Sequence, residues 1–77
     1  MSNHLVTGSS GYVGSFIARK LLAMGETVFC LDLIPPHNPL EGDIEYHNGS
    51  VLDKNIVDNL TEKCDYVHHN AALVPLT

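Results

Sequence analysis

Apolar and polar positions along the chain switch between two rhythms. His4-Leu5-Val6-Thr7 is a short apolar run ending at Gly8, as expected of a buried strand. From Tyr12 to Met24 the rhythm is helical. Val13, Ile17, Leu21 and Met24 recur at steps of three and four with Phe16 beside them, a stripe of the kind a helix turns to a core. Arg19 and Lys20 lie off that stripe, and Gly25 follows, where a left-handed helix end favours glycine. Thr27-Val28-Phe29-Cys30-Leu31 is continuous, β-branched and aromatic, so it predicts a second strand buried on both faces and ending at Asp32. Pro35-Pro36-His37-Asn38-Pro39 excludes a helix and predicts a surface connection. Ile44-Glu45-Tyr46-His47 predicts a weaker third strand between Asp43 and Asn48-Gly49. Asp53 is a good N-cap, with Ile56, Val57 and Leu60 after it at helical spacing. Asp65-Tyr66-Val67-His68-His69 predicts a fourth strand, and Ala71 to Thr77 a small-residue exit loop.

Strands alternating with helices imply an α/β fold with a parallel sheet. Right-handed crossovers then favour a sheet of about four strands in the order 3-2-1-4, with one helix on each face. The chain direction reverses between strands 1 and 4, and the crevice there is where such sheets bind ligands.

The chemistry falls at that crevice. Gly8-Ser9-Ser10-Gly11-Tyr12-Val13-Gly14 has the spacing G-x-x-G-x-x-G, after a strand and opening a helix. Gly8 permits the tight turn, Gly11 lets a pyrophosphate approach the backbone, and Gly14 lets the helix pack closely. Helix-start N–H groups around Tyr12 and Val13, with the positive end of the helix dipole, then face the phosphates. A phosphate loop of the triphosphatase type would need a lysine followed by Ser or Thr; Val13-Gly14-Ser15 stands there instead. A plain strand–helix corner is the competing reading, but three glycines in register exceed what a corner needs. Asp32, at the end of the second strand, can accept both hydroxyls of an adenosine ribose and would repel a 2′-phosphate. No Arg or Lys follows it to hold one, so NAD is expected over NADP. The alternative for Asp32 is a solvated strand end.

Composition narrows the picture. The chain has 77 residues, enough for one domain at most, and is 44% hydrophobic and 17% charged, an ordinary globular balance. So short a chain buries only about 60% of its unfolded surface, which makes for marginal stability. The formal net charge is −5, and Arg19, Lys20, Lys54 and Lys63 form no basic run, so nucleic acid is disfavoured as a partner. No apolar run approaches the ~20 residues of a membrane span. Cys30 and Cys64 lie in apolar surroundings behind a start, Met1-Ser2-Asn3-His4, without a secretory pattern. They are expected to be reduced core residues of a cytoplasmic protein, although a disulfide is possible on count alone. His68 and His69 point to opposite faces of a strand, and His4, His37 and His47 have no ligand spacing with them, so no metal is expected. His69 is expected to serve as a structural or hydrogen-bonding residue near the crevice.

Val6-Thr7-Gly8-Ser9-Ser10-Gly11-Tyr12-Val13-Gly14-Ser15 resembles the opening of the extended short-chain dehydrogenase/reductases. That group includes NAD-dependent sugar epimerases and dehydratases and a hydroxysteroid dehydrogenase/isomerase branch. Asp65-Tyr66-Val67-His68-His69-Asn70-Ala71-Ala72 is similar to the family's fourth-strand motif, and Ala71-Ala72-Leu73-Val74-Pro75 leans towards the hydroxysteroid branch. The resemblance implies a partial Rossmann fold, with residues 1–77 as the N-terminal part of an NAD-binding domain. It implies Asn70, Ala71 and Ala72 as contacts on the nicotinamide side. After the third strand the family usually has Gly-Asp followed by an apolar residue, the Asp holding the adenine amino group. Here Gly49-Ser50-Val51 stands instead. Ser50 could still accept a hydrogen bond, less strongly, and Val51 keeps the apolar contact; Asp53 is better explained as the helix cap.

Members of this family react through a Tyr with a Lys four residues later, plus a Ser or Thr. Four residues after Tyr12, Tyr46 and Tyr66 come Phe16, Ser50 and Asn70, so no pair matches and no catalytic residue is assigned. The resemblance therefore implies the cofactor-binding part of an enzyme, inactive alone and without a substrate domain. The resemblance implies that the complete protein acts on a hydroxyl or keto group of a sugar nucleotide or sterol-like small molecule, and family members are commonly homodimers. Two alternatives are a stand-alone dinucleotide-sensing module and a poorly folded truncation product.

Overall fold

The computed structural model describes residues 2–70. Its elements are β1 (Asn3–Thr7), α1 (Tyr12–Ala23), β2 (Thr27–Asp32), β3 (Ile44–Asn48), α2 (Lys54–Lys63) and β4 (Tyr66–His69). The four strands form one parallel sheet in the order β3-β2-β1-β4, the order and sense expected. The register sets Val6 between Cys30 and His68, and Thr7 between Leu31 and His69.

Alternation along the strands divides the core into two layers. Val6, Val28 and Cys30 pack with Ala18 and Leu21 beneath α1. Leu5 and Leu31 pack with Leu60 beneath α2. One helix thus covers each face, as the two opposed crossovers require.

The buried face of α1 differs from the expected stripe. Val13, Phe16 and Met24 are 58%, 53% and 72% exposed. The residues that face the sheet are Gly14, Ala18 and Leu21, with Ile17 partly buried. Their spacing is still helical, but small residues lead it. Gly14 and Ala18 let the helix axis come close, and that rotates the larger side chains outward. The helix ends as expected at Gly25, with φ +80. Glu26 N–H donates to the Leu21 carbonyl and Gly25 N–H to the Leu22 carbonyl, at 3.0 Å each, satisfying two last-turn acceptors.

At the start of α2 the Asp53 carboxylate accepts the N–H groups of Asn55 and Ile56, at 3.1 and 3.4 Å. The cap expected from the sequence is therefore in place. Asp53→Ala should cost about 1 kcal/mol. Thermal melting should show it as a drop of roughly 4–8 °C, and an unchanged midpoint would remove Asp53 from the cap.

Both cysteines are free thiols. Cys30 lies in the core, and burial, with a smaller contribution from Asp32, pushes its thiol up to about 11 against the lowering effect of a hydrogen bond to Ser9. Cys64 joins the core only at its edge: it is the C-cap of α2, partly buried, and packs against the layer of Leu5, Leu31 and Leu60. Asp65, expected within the fourth strand, precedes it; its N–H donates to the Asn3 carbonyl at 2.7 Å, while its carboxylate accepts the Asn3 N–H at 2.9 Å. Among the described residues, no helix is long and apolar enough to cross a membrane.

Candidate functional site

A cleft of about 290 Å³ opens at the carboxyl ends of β1 and β2 and reaches the exit of β4. Six residues singled out in the sequence line it together: Gly8, Gly11, Asp32, Ser50, Val51 and Asn70. Ala71 and Ala72 lie outside the described residues.

The glycine turn is built by close approach. Gly8 sits at φ +68, a backbone region that side chains rarely tolerate. Its N–H donates to the Leu31 carbonyl at 2.9 Å, tying the turn to β2. A Cβ on Gly14 would stand 2.1 Å from the Gly8 oxygen and 2.7 Å from its carbonyl carbon. Gly14 therefore lies under the turn, not in the cleft; its missing side chain is what allows α1 to start where it does.

That start is open. Gly11 is the N-cap and offers no side chain, and the first turn of α1 carries no acidic residue. Ser15 N–H makes a helix bond, to the Gly11 carbonyl at 3.0 Å. The N–H groups of Tyr12 and Val13 come before the helix bonds begin, so they are the donors an anion would meet there. An uncapped helix start behind a glycine turn is the kind of place where a phosphate group binds. The side chains of Tyr12 and Val13 point to solvent.

Asp32 is more than a solvated strand end. One carboxylate oxygen accepts Ser10 N–H at 2.9 Å and the other accepts Ile34 N–H at 3.1 Å. A carboxylate has about four acceptor positions, so two stay available for ribose hydroxyls. Ser10 does not line the cleft: its hydroxyl donates to the Ile34 carbonyl at 2.6 Å, so it braces the turn against the β2 exit. Ser50 is half committed, because its hydroxyl oxygen accepts Leu52 N–H at 3.0 Å. It keeps an O–H to donate into the cleft.

On the β4 side, Thr7 is the organiser. Its hydroxyl accepts Asn70 N–H at 3.0 Å and shares a 2.8 Å hydrogen bond with His69 Nδ1. His69 thus holds a hydrogen-bonding place beside the cleft, and Asn70 is fixed at its wall.

Leu31, Leu33, Gly49 and Leu52 complete the lining, and sequence reasoning missed them. Leu33 and Leu52 are exposed apolar residues just outside the regular elements. Their signal was present: a leucine directly after Asp32, and another directly after Val51, in segments where polar residues cost nothing. Among the described residues, no group of three or more His, Cys, Asp or Glu side chains could hold a metal ion.

Comparison with known proteins places this geometry. The sequence profile of the NAD dependent epimerase/dehydratase family matches residues 4–76. A UDP-glucose 4-epimerase from Halalkalibacterium halodurans is 38% identical over 71 residues, covering 88% of this chain and 21% of the relative. A 3 beta-hydroxysteroid dehydrogenase/Delta 5-->4-isomerase from Mycobacterium tuberculosis is 31% identical over 72 residues, covering 94% and 20%. Among solved structures, the Bordetella bronchiseptica enzyme WbmH in complex with NAD+ superposes with a TM-score of 0.85 at 30% identity, over 96% of this chain and 27% of the other. MoeE5 in complex with UDP-glucose and NAD gives 0.77 at 32% identity, over 92% and 22%. The chain thus spans about a fifth of the length of the curated relatives it matches.

Proposed function

The chain belongs to the NAD dependent epimerase/dehydratase family, and from that premise we propose that residues 1–77 are the N-terminal part of its NAD-binding domain. The cofactor lies across the cleft between the glycine turn and Asn70. The observation that carries this reading is the uncapped start of α1 opening beside the Asp32 carboxylate. The N–H donors of Tyr12 and Val13 hold the pyrophosphate, and Asp32 holds the adenosine ribose. Val51, Leu33 and Leu52 form the apolar walls for adenine, with the Ser50 hydroxyl at its edge. Asn70, with Ala71 and Ala72 after it, borders the nicotinamide side.

The cofactor supplies reversible hydride exchange when bound; these residues bind and orient it. None of the three tyrosines has a lysine four residues on, so this reading assigns the chain cofactor binding and no catalytic residue. In a complete protein the same cleft would serve a reaction at a hydroxyl or keto carbon of a sugar nucleotide or a sterol-like substrate. Both classes are in view because the relatives include enzymes named for each.

Calorimetric titration tests the cofactor assignment. NAD is expected to bind more tightly than NADP by at least tenfold, about 1.4 kcal/mol, because Asp32 would face the 2′-phosphate with no cation beside it. Equal affinities would remove Asp32 from the ribose site.

A further inference from the structure

Outside the cleft lining, the β1–β4 register brings His4 and His68 onto the face shared with α1. His4 Nδ1 and His68 Nε2 lie 3.0 Å apart, and the rings stack with centroids 5.3 Å apart. Tyr66 stacks on His4 from the same strand, at 5.0 Å. His4 is buried, and its Nε2 is the one buried side-chain nitrogen or oxygen without a hydrogen-bond partner among the described residues. That atom faces Glu26 Oε1 at 4.0 Å, while Glu26 Oε2 accepts Ser2 N–H at 2.6 Å.

We propose that Glu26, His4 and His68 form a pH-sensitive latch that fastens β4 to β1 at neutral pH and lets it go in acid. Glu26 decides the tautomer. A lone pair on His4 Nε2 would be repelled by the carboxylate, so that nitrogen carries the ring's proton and turns it towards Glu26. His4 Nδ1 is then the acceptor, and His68 Nε2–H the donor. An added proton goes to His68 Nδ1, the nitrogen not bonded to His4, and charges a ring partly buried against His4, which weakens the hold of β4 on β1.

The surroundings offer one counter-charge. Glu26 faces the pair from the turn before β2, and Tyr66 is a neutral phenol. The β2 residue beside His4 is Val28, and α1 presents Ala18 and Leu21 to this layer. Arg19 and Lys20 of α1 are exposed, and Lys20 lies over Phe16. Asp65 is engaged by Asn3 N–H. Burial, and then the neighbouring His4, push the His68 ring below its ordinary value of 6.5. The detached or unfolded chain therefore binds protons more readily than the latched one. Stability is full above pH 6.5 and falls as the pH drops below it towards the folded value of His68.

β4 is the strand for such a device. It is an edge strand, with Tyr66 and Val67 exposed, and it pairs only with β1 among the described strands. It leads straight into His69 and Asn70, which Thr7 holds at the cleft. Acid release of β4 would therefore dismantle one wall of the cleft. That consequence rests on the dinucleotide reading; the latch itself does not.

Amide exchange followed by NMR on the intact chain tests it. Protection factors of β4 are expected to fall severalfold relative to β2 between neutral pH and about pH 5.5, the range in which histidine charges. His68→Gln can still donate to His4 but cannot titrate, so its β4 protection should stay level. A parent whose β4 protection stays flat overturns the proposal, and so does a His68→Gln variant with the parent's pH dependence. NAD affinity measured alongside should fall in acid with β4 protection. If neither protein binds NAD at any pH, the cofactor reading fails while the protection factors still decide the latch.

Discussion

Gly14→Ala is expected to destabilise the chain by at least 3 kcal/mol, about the upper end of ordinary overpacking. Two effects compete. Alanine is the better helix former by about 1 kcal/mol. Against that, its Cβ would stand 2.1 Å from the Gly8 carbonyl oxygen, which is backbone and already fixed by a neighbouring bond to β2. The carbonyl cannot rotate away without opening the turn, so the steric term wins. For a chain this short each kcal/mol is worth roughly 4–8 °C, so melting should fall by more than about 12 °C. Ser15→Ala is the control. Ser15 is the next residue of α1, its hydroxyl is exposed, and its melting point should move by no more than about 0.5 kcal/mol's worth. If Gly14→Ala melts like the parent, the account of the glycine turn is wrong.

Asp32→Ala has the largest expected effect on binding. Losing a charge-assisted pair to the ribose costs about 1.5–3 kcal/mol, a roughly ten- to hundredfold loss of NAD affinity. The carboxylate also holds Ser10 and Ile34 N–H groups, so its removal loosens the turn as well. Asp32→Asn separates the two effects in part. It keeps an acceptor for one backbone N–H and most of the shape, but loses the charge and one acceptor. Its affinity should fall between parent and alanine variant, and its discrimination against NADP should weaken. Unchanged NAD affinity in a folded Asp32→Ala chain would contradict the site.

The architecture was legible because each element announces itself locally. Leu5-Val6 before Gly8, the continuous run from Thr27 to Leu31, and Asp53 ahead of Ile56 and Leu60 each set one element. Alternation of strand and helix then leaves few topologies. The glycine spacing and Asp32 located the cleft, since both depend on short-range geometry. What stayed hidden depends on packing between distant segments. The outward turn of Val13, Phe16 and Met24 follows from Gly14 and Ala18 drawing the helix down, and counting apolar residues gives small ones little weight. The pairing of His4 with His68 exists only through the β1–β4 register, so spacing within the chain carries no trace of it. Leu33 and Leu52 were unremarked because they follow the regular elements, where hydrophobic rhythm stops being informative.

The central claim is that the glycine turn, Asp32 and the β4 exit make one dinucleotide cleft, and NMR titration of the chain with NAD tests it most directly. The account predicts amide shifts at Tyr12 and Val13, at Leu33 beside Asp32, at Val51 and at Asn70, all saturating together, with β3 and the outer face of α2 unmoved. Shifts confined to other surfaces, or none at millimolar NAD in a folded chain, would contradict it.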